Sequence, residues 1–388
     1  MRRPKTLSQL FLRASRAVGV GSLMDATRLI QRTLLNPVAS PDFSPFLRPT
    51  PARARRPAAR PAKPDATTFT DVEDVMVVDK PGTETEAPVT PRPRKAAFSE
   101  RVFTFNGERY PYRLYIPAPP AGGDAAAQAA MPLIVLLHGC KQDAQDFARG
   151  TAMNALAQEQ GCMVLYPEQI SKSNAHRCWN WFEPGHQQLD EGEPGMIAAL
   201  TQQVLANDYN GQRADPSRVY IAGLSAGGAM AAVVAGLYPH IFAAVGVHSG
   251  LPSGAAQDLM SAFGAMRRGA KGSATPPMPT IVFHGSGDKT VHPDNGDHIS
   301  DAALAALKAS GLPLVKSRSK VGADTQETST EKTVYRVADG PSYVEHWRID
   351  AGPHAWSGGD SAGSYTDPDG PSASAAMLAF FLQHSLKA

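Results

Sequence analysis

Cysteine is scarce. Cys140, Cys162 and Cys178 are the only three in 388 residues, too few for a disulfide framework, and their spacing matches no zinc-binding pattern. One pair plus one free thiol is the most they allow. No run of about 18 apolar residues occurs, which excludes an ordinary transmembrane helix. Aromatic residues make up 7% with four tryptophans, so any local cluster of them stands out. Neither sign of charge dominates, since the formal net charge is +2. That balance hides an asymmetry: residues 1–63 carry 13 Lys/Arg against 2 Asp, or +11, leaving 25 basic and 34 acidic residues, or −9. What the chain does have is apolar bulk, 42% hydrophobic against 19% charged, enough for one large core or two ordinary ones.

Three parts follow from the pattern. Over residues 1–35, Leu7, Leu10, Phe11, Ala14 and Val18 recur at helical spacing beside Arg13 and Arg16. Leu23, Ala26, Ile30 and Leu34 repeat this beside Arg28 and Arg32. Such a basic amphipathic segment suits a granule or membrane surface, and equally a helix pair docked on protein. Arg13 and Arg16 interrupt the apolar stretch that an export signal needs. Residues 36–97 are expected to form an extended linker, because eight prolines between Asn36 and Pro64 each remove a backbone donor. No nucleic-acid partner is expected, since no aromatic stacking platform accompanies the arginines. An ordered domain is expected over residues 98–388.

In that domain, Val102–Phe105 and Tyr110–Ile116 flank Asn106-Gly107, a strong signal for an antiparallel hairpin. Pro132–Leu137, Cys162–Tyr166, Arg218–Ala222, Ala243–His248 and Thr280–Phe283 read as buried strands, followed by Thr333–Val337 and Tyr343–Ile349. Between them Asp146–Gln160, Gly195–Asn207, Ala226–Leu237, Asp297–Ser310 and Ser372–Leu386 read as helices. Alternating strands and helices predict a three-layer α/β fold, with a mostly parallel central sheet behind an N-terminal hairpin.

The sharpest motif is Gly223-Leu224-Ser225-Ala226-Gly227, placed between an apolar strand and a small-residue helix. In that context G-x-S-x-G presents a serine on a strained turn, with its hydroxyl at the positive end of a helix. A serine hydroxyl needs a base, and the base needs an orienting acid. Downstream, Thr280–Phe283 ends in His284-Gly285-Ser286-Gly287-Asp288, so Asp288 is expected to be the acid; Asp294, Asp297 and Asp350 are its competitors. The glycine-flanked loop 350–359 offers His354 as the base. The main-chain N–H groups of Ala226 and Cys140, the latter in the loop after an early strand, are expected to hold an oxyanion. Trp179 and Trp181, in the run Arg177–Phe182, are expected to line a substrate cleft together with Trp356. The alternative for that run is a cluster packed on its own domain. A Cys140–Cys178 pair would pin this loop beside the oxyanion site.

Seven runs carry a resemblance: Leu136–Gln142, Val164–Gln169, Cys178–Phe182, Gly223–Met230, Ala243–Gly250, His284–Asp288 and Gly352–Gly358. Jointly, over residues 130–360, they resemble the poly(3-hydroxybutyrate) depolymerase family of esterases in the α/β-hydrolase superfamily. The resemblance implies an α/β-hydrolase fold and ester hydrolysis by Ser225, Asp288 and His354, without cofactor or metal. It implies a polyester, oligomer or acyl-ester substrate, most directly 3-hydroxyalkanoate, and an extracellular setting. The same family groups feruloyl and acetyl-xylan esterases with the depolymerases. Secreted polymer-degrading members carry an export signal and a separate substrate-binding domain, and neither pattern is seen here. An esterase of soluble oligomers, cytoplasmic or granule-associated, is therefore a competing expectation. A non-enzymatic protein that binds granules or membranes through residues 1–35 is a third.

Overall fold

A hairpin forms at the start of the described residues because Asn106 and Gly107 accept the positive φ values, 50° and 81°, that its turn requires. It joins β1 (Ala97–Phe105) to β2 (Glu108–Ile116). The computed structural model describes residues 95–119, 130–321 and 329–387. The expected amphipathic segment (1–35) and the expected linker up to residue 94 lie outside the described residues.

The remaining strands of the main sheet are β3 (Met131–Leu137), β4 (Met163–Pro167), β5 (Ala214–Leu224), β6 (Ala244–His248), β7 (Thr280–Gly285), β8 (Leu314–Val321), β9 (Thr330–Val337) and β10 (Ser342–Ile349). They lie in the order β1-β2-β4-β3-β5-β6-β7-β10-β9-β8. Strands β4, β3, β5, β6, β7 and β10 run parallel, and antiparallel pairs flank them at both edges. After β3 the chain goes to β4 on one side and then crosses to β5 on the other. The carboxyl ends of β3 and β5 thus frame the topological switch point, where α/β sheets open a crevice.

Seven helices cover the sheet among the described residues: α1 (Ala144–Thr151), α2 (Met153–Gln160), α3 (Gly192–Ala206), α4 (Ala226–Leu237), α5 (Leu259–Arg268), α6 (Asp294–Ala309) and α7 (Ala373–Phe381). The two-residue side-chain period of β3 divides the core. Leu133, Val135 and Leu137 pack with Met196 and Leu200 of α3 and Met230 and Val234 of α4. Ile134 and Leu136 face the other way, onto Phe147 of α1, Met153 of α2 and Met377 and Phe381 of α7. Each such side chain, removed wholly from water, contributes roughly 1.5–3 kcal/mol. The layers are those of the expected three-layer α/β fold. Among the described residues, no helix is long and apolar enough to cross a membrane.

Several elements differ from expectation, among them α5, a helix that was not expected. The helix expected over Asp146–Gln160 is two helices, broken at Ala152, which takes a left-handed φ of 50°. The break lets Gly150 sit against Gly363, whose Cβ would lie 2.4 Å from the Gly150 backbone. Strand β8 escaped notice because Lys316, Arg318 and Lys320 replace apolar alternation, and charge of this kind protects a sheet edge from pairing with another chain.

Candidate active site

Strand β5 ends at Leu224 and α4 begins at Ala226, leaving Ser225 to turn the chain alone. It does so at φ 58°, ψ −120°, a conformation that costs a non-glycine residue about 1–3 kcal/mol. The surroundings impose it. Ser225 N–H donates to His248 O at 2.9 Å, and Ser225 O accepts from Ala229 N at 2.9 Å. The helix also presses on the end of β3: a Cβ on Gly227 would lie 2.2 Å from Leu137 O and 2.5 Å from His138 O. The glycine there is a requirement of close approach.

The hydroxyl of Ser225 lies 2.9 Å from His354 Nε2, and His354 Nδ1 lies 2.7 Å from Asp288 Oδ2. Three residues separated by 129 and 66 positions in the chain thus form one hydrogen-bonded line. The other carboxylate oxygen, Asp288 Oδ1, accepts N–H bonds from Thr290 and Val291, both at 2.8 Å. Burial by itself would raise the pKa of Asp288. Hydrogen bonds from His284, His354 and the Val291 amide outweigh it and hold the carboxyl well below the usual carboxylate range. The competing acids are engaged elsewhere: Asp297 with Arg348 at 3.3 Å, Asp294 with His292 at 3.5 Å, and Asp350 is exposed.

The loop after β3 is held from several directions. Gly139 N–H donates to Gln142 Oε1 at 2.9 Å and Lys141 N–H to His176 O at 2.7 Å. The Cys140 amide between them, and that of Ala226, have no acceptor among the described residues. His138 is buried, accepts Gln169 N–H at Nε2 and donates from Nδ1 to Gly139 O at 2.8 Å. Burial pushes its pKa down to about 4, so the ring is neutral in neutral water. Cys140 and Cys178 are disulfide-bonded, with Cα atoms 4.2 Å apart, and Cys162 is free and buried.

The tryptophans are placed differently from the expectation that Trp179, Trp181 and Trp356 line a cleft. All three are buried. Trp179 donates its indole N–H to His138 O at 3.1 Å, Trp356 donates to Ser374 Oγ at 3.0 Å, and Trp181 packs edge-on against Phe182. For Trp179 and Trp181 the reason is Glu193, a buried carboxylate that accepts from Asn180 N–H and Nδ2, both at 2.7 Å, and from Gln169 Nε2. It draws the loop inward, so the rings become core.

Sequence reading missed two further histidines. His248 accepts Ser225 N–H on its carbonyl and Ser357 N–H on Nε2 at 3.0 Å, joining the nucleophile turn to the loop that carries His354. His284 stands beside Asp288. Their one visible signal was position at the end of an apolar run, next to a small residue.

The model of the family described as "Esterase PHB depolymerase" matches residues 110–312, just over half of the chain. The chain belongs to that family. Among PHB depolymerase-type relatives, poly(3-hydroxyalkanoate) depolymerase C of Paucimonas lemoignei is 37% identical over 191 residues, 45% of this chain and 44% of that one. Feruloyl esterase B of Thermothelomyces thermophilus is 32% identical over 184 residues, 42% of this chain and 60% of that one. The chain therefore spans about half the length of these curated relatives. The solved acetyl xylan esterase from Aspergillus awamori aligns with a TM-score of 0.51 at 19% identity, covering 66% of this chain and 94% of that one. At that identity the likeness speaks for the fold, which is that of the α/β-hydrolases.

Proposed function

We propose that this member of the PHB depolymerase esterase family is a serine esterase acting on 3-hydroxyalkanoate esters and their oligomers. The observation that carries the reading is the line Ser225–His354–Asp288. Ser225 Oγ attacks the ester carbonyl carbon while His354 Nε2 takes its proton. The imidazolium is held by Asp288, and the oxyanion accepts from the Ala226 and Cys140 amides. Collapse breaks the ester C–O bond, and His354 returns the proton to the leaving alcohol. Water then adds to the acyl-serine by the same route and releases the acid.

A panel of 3-hydroxybutyrate oligomers, solid polymer, methyl ferulate and acetylated xylan tests the substrate. Oligomers are expected to have the highest kcat/KM; methyl ferulate or acetylated xylan turning over far faster would replace this substrate class. The feruloyl and acetyl-xylan reading keeps a place because relatives bearing those names match 42% and 47% of this chain. Residues 1–35 act in this proposal as a basic anchor to the granule surface. The full chain should co-sediment with granules and a chain lacking residues 1–64 should not; equal binding by both would discard the anchor.

The Cys140–Cys178 disulfide closes a loop with a sequence separation of 38. Its loss, in Cys178→Ser, is expected to lower stability by about 4 kcal/mol. Because Cys140 carries an oxyanion donor, kcat should also fall, by roughly 10-fold, with KM little changed. A thermal melt and steady-state kinetics, each with and without reductant on the wild type, check both. Unchanged kcat in the reduced enzyme would separate the disulfide from the oxyanion site.

A further inference from the structure

Asp288 has two imidazoles beside it, and the hydrolytic scheme uses one. The other belongs to His284, near the end of β7 and buried. Its Nε2 lies 2.9 Å from Val291 O and 3.5 Å from Asp288 Oδ2. A carbonyl oxygen only accepts, so Nε2 carries the proton and donates, chiefly to Val291 and at longer range to the carboxylate. Nδ1 is buried and without a hydrogen-bond partner among the described residues. It is pressed by α6, where a Cβ on Gly296 would lie 3.0 Å from it. An unsatisfied buried nitrogen is destabilising, and a phenyl ring would avoid it. What a phenyl ring lacks is a donor on its far edge.

That donor sits where the acid is held. Val291, whose carbonyl it engages, gives its own N–H to Asp288 Oδ1. The carboxylate oxygen that His284 also approaches, Oδ2, is the one bonded to His354. We propose that His284 is a positioning residue: its Nε2–H closes the loop 285–291 and keeps the Asp288 carboxylate turned so that Oδ2 meets His354. This rests on the role of Asp288 in the proposed hydrolysis.

The test uses the full chain and a soluble p-nitrophenyl ester. Glutamine can place an amide nitrogen near the Nε2 position, whereas asparagine places it near Nδ1. His284→Gln is expected to keep kcat within about 3-fold. His284→Asn and His284→Phe should lower kcat about 10- to 100-fold, with KM within about 3-fold. In an Asp288→Asn background, His284→Phe should cost no more than about 2-fold further, because the two act as one unit. Wild-type kcat in His284→Phe, or the same loss in both backgrounds, overturns the inference. If His284→Phe does not fold, Gln and Asn variants of equal melting temperature decide it, and equal kcat overturns it. Full activity in Asp288→Asn alone would instead withdraw the role given to Asp288.

Discussion

Ser225→Ala is expected to lose at least about 10³-fold in turnover of a short p-nitrophenyl ester, with KM nearly unchanged. The substitution removes one atom, Oγ, which is the attacking group of the proposed mechanism and the hydrogen-bond partner of His354 Nε2. It leaves the Cβ, so the strained turn keeps its hydrogen bonds to His248 and Ala229 and the fold should persist. In the proposed mechanism the residual rate comes from the amides of Ala226 and Cys140, which would still polarise a bound carbonyl. His354→Ala should lose about as much, and the double variant little more, since base and nucleophile are useless apart. A serine-directed fluorophosphonate should label the wild type once, at Ser225, and leave Ser225→Ala unlabelled. Near-wild-type turnover in Ser225→Ala would end the hydrolytic mechanism.

Gly227→Ala is expected to damage both stability and activity, although the side chain it adds touches no substrate. A Cβ there would lie 2.2 Å from Leu137 O and 2.5 Å from His138 O, both backbone atoms at the buried end of β3. Neither is a flexible side-chain tip that could swing aside. Relief requires α4 and the β3 loop to part, at roughly 3 kcal/mol or more. Parting them also separates the Ala226 amide from the Cys140 amide, which should reduce kcat by about 10²-fold. Gly185→Ala is the control, because nothing stands within 4 Å of its Cβ position; that variant should stay within about 0.5 kcal/mol of wild type. A thermal melt with parallel kinetics reads both effects. A Gly227→Ala protein that melts and turns over like the control would show that helix and loop do not need this contact.

The two glycines of G-x-S-x-G differ from most glycines because their neighbours are backbone. A Cβ on Gly223 would lie 2.4 Å from the Gly227 carbonyl group. Unlike the demand on Gly227, which comes from the distant Leu137 and His138, that on Gly223 acts among residues close in the chain and is readable in one dimension. The same holds for Asn106-Gly107, where two positive φ values follow one another. The Ala152 break was not readable, because alanine is a good helix former, and the Gly363 that closes on Gly150 two positions earlier is far along the chain.

Local demands, then, were determined by the amino-acid order alone: the hairpin turn, the alternation of buried strands with helices, and a serine at the mouth of a helix. Each depends on contacts among residues a few positions apart. Burial of the tryptophans, the pairing of Cys140 with Cys178 and the second imidazole beside Asp288 were decided by the tertiary structure. Whether a ring meets water or a carboxylate meets one histidine or two depends on which distant segment folds over it, and here that segment is Glu193 for the tryptophan loop and Val291 with α6 for the acid.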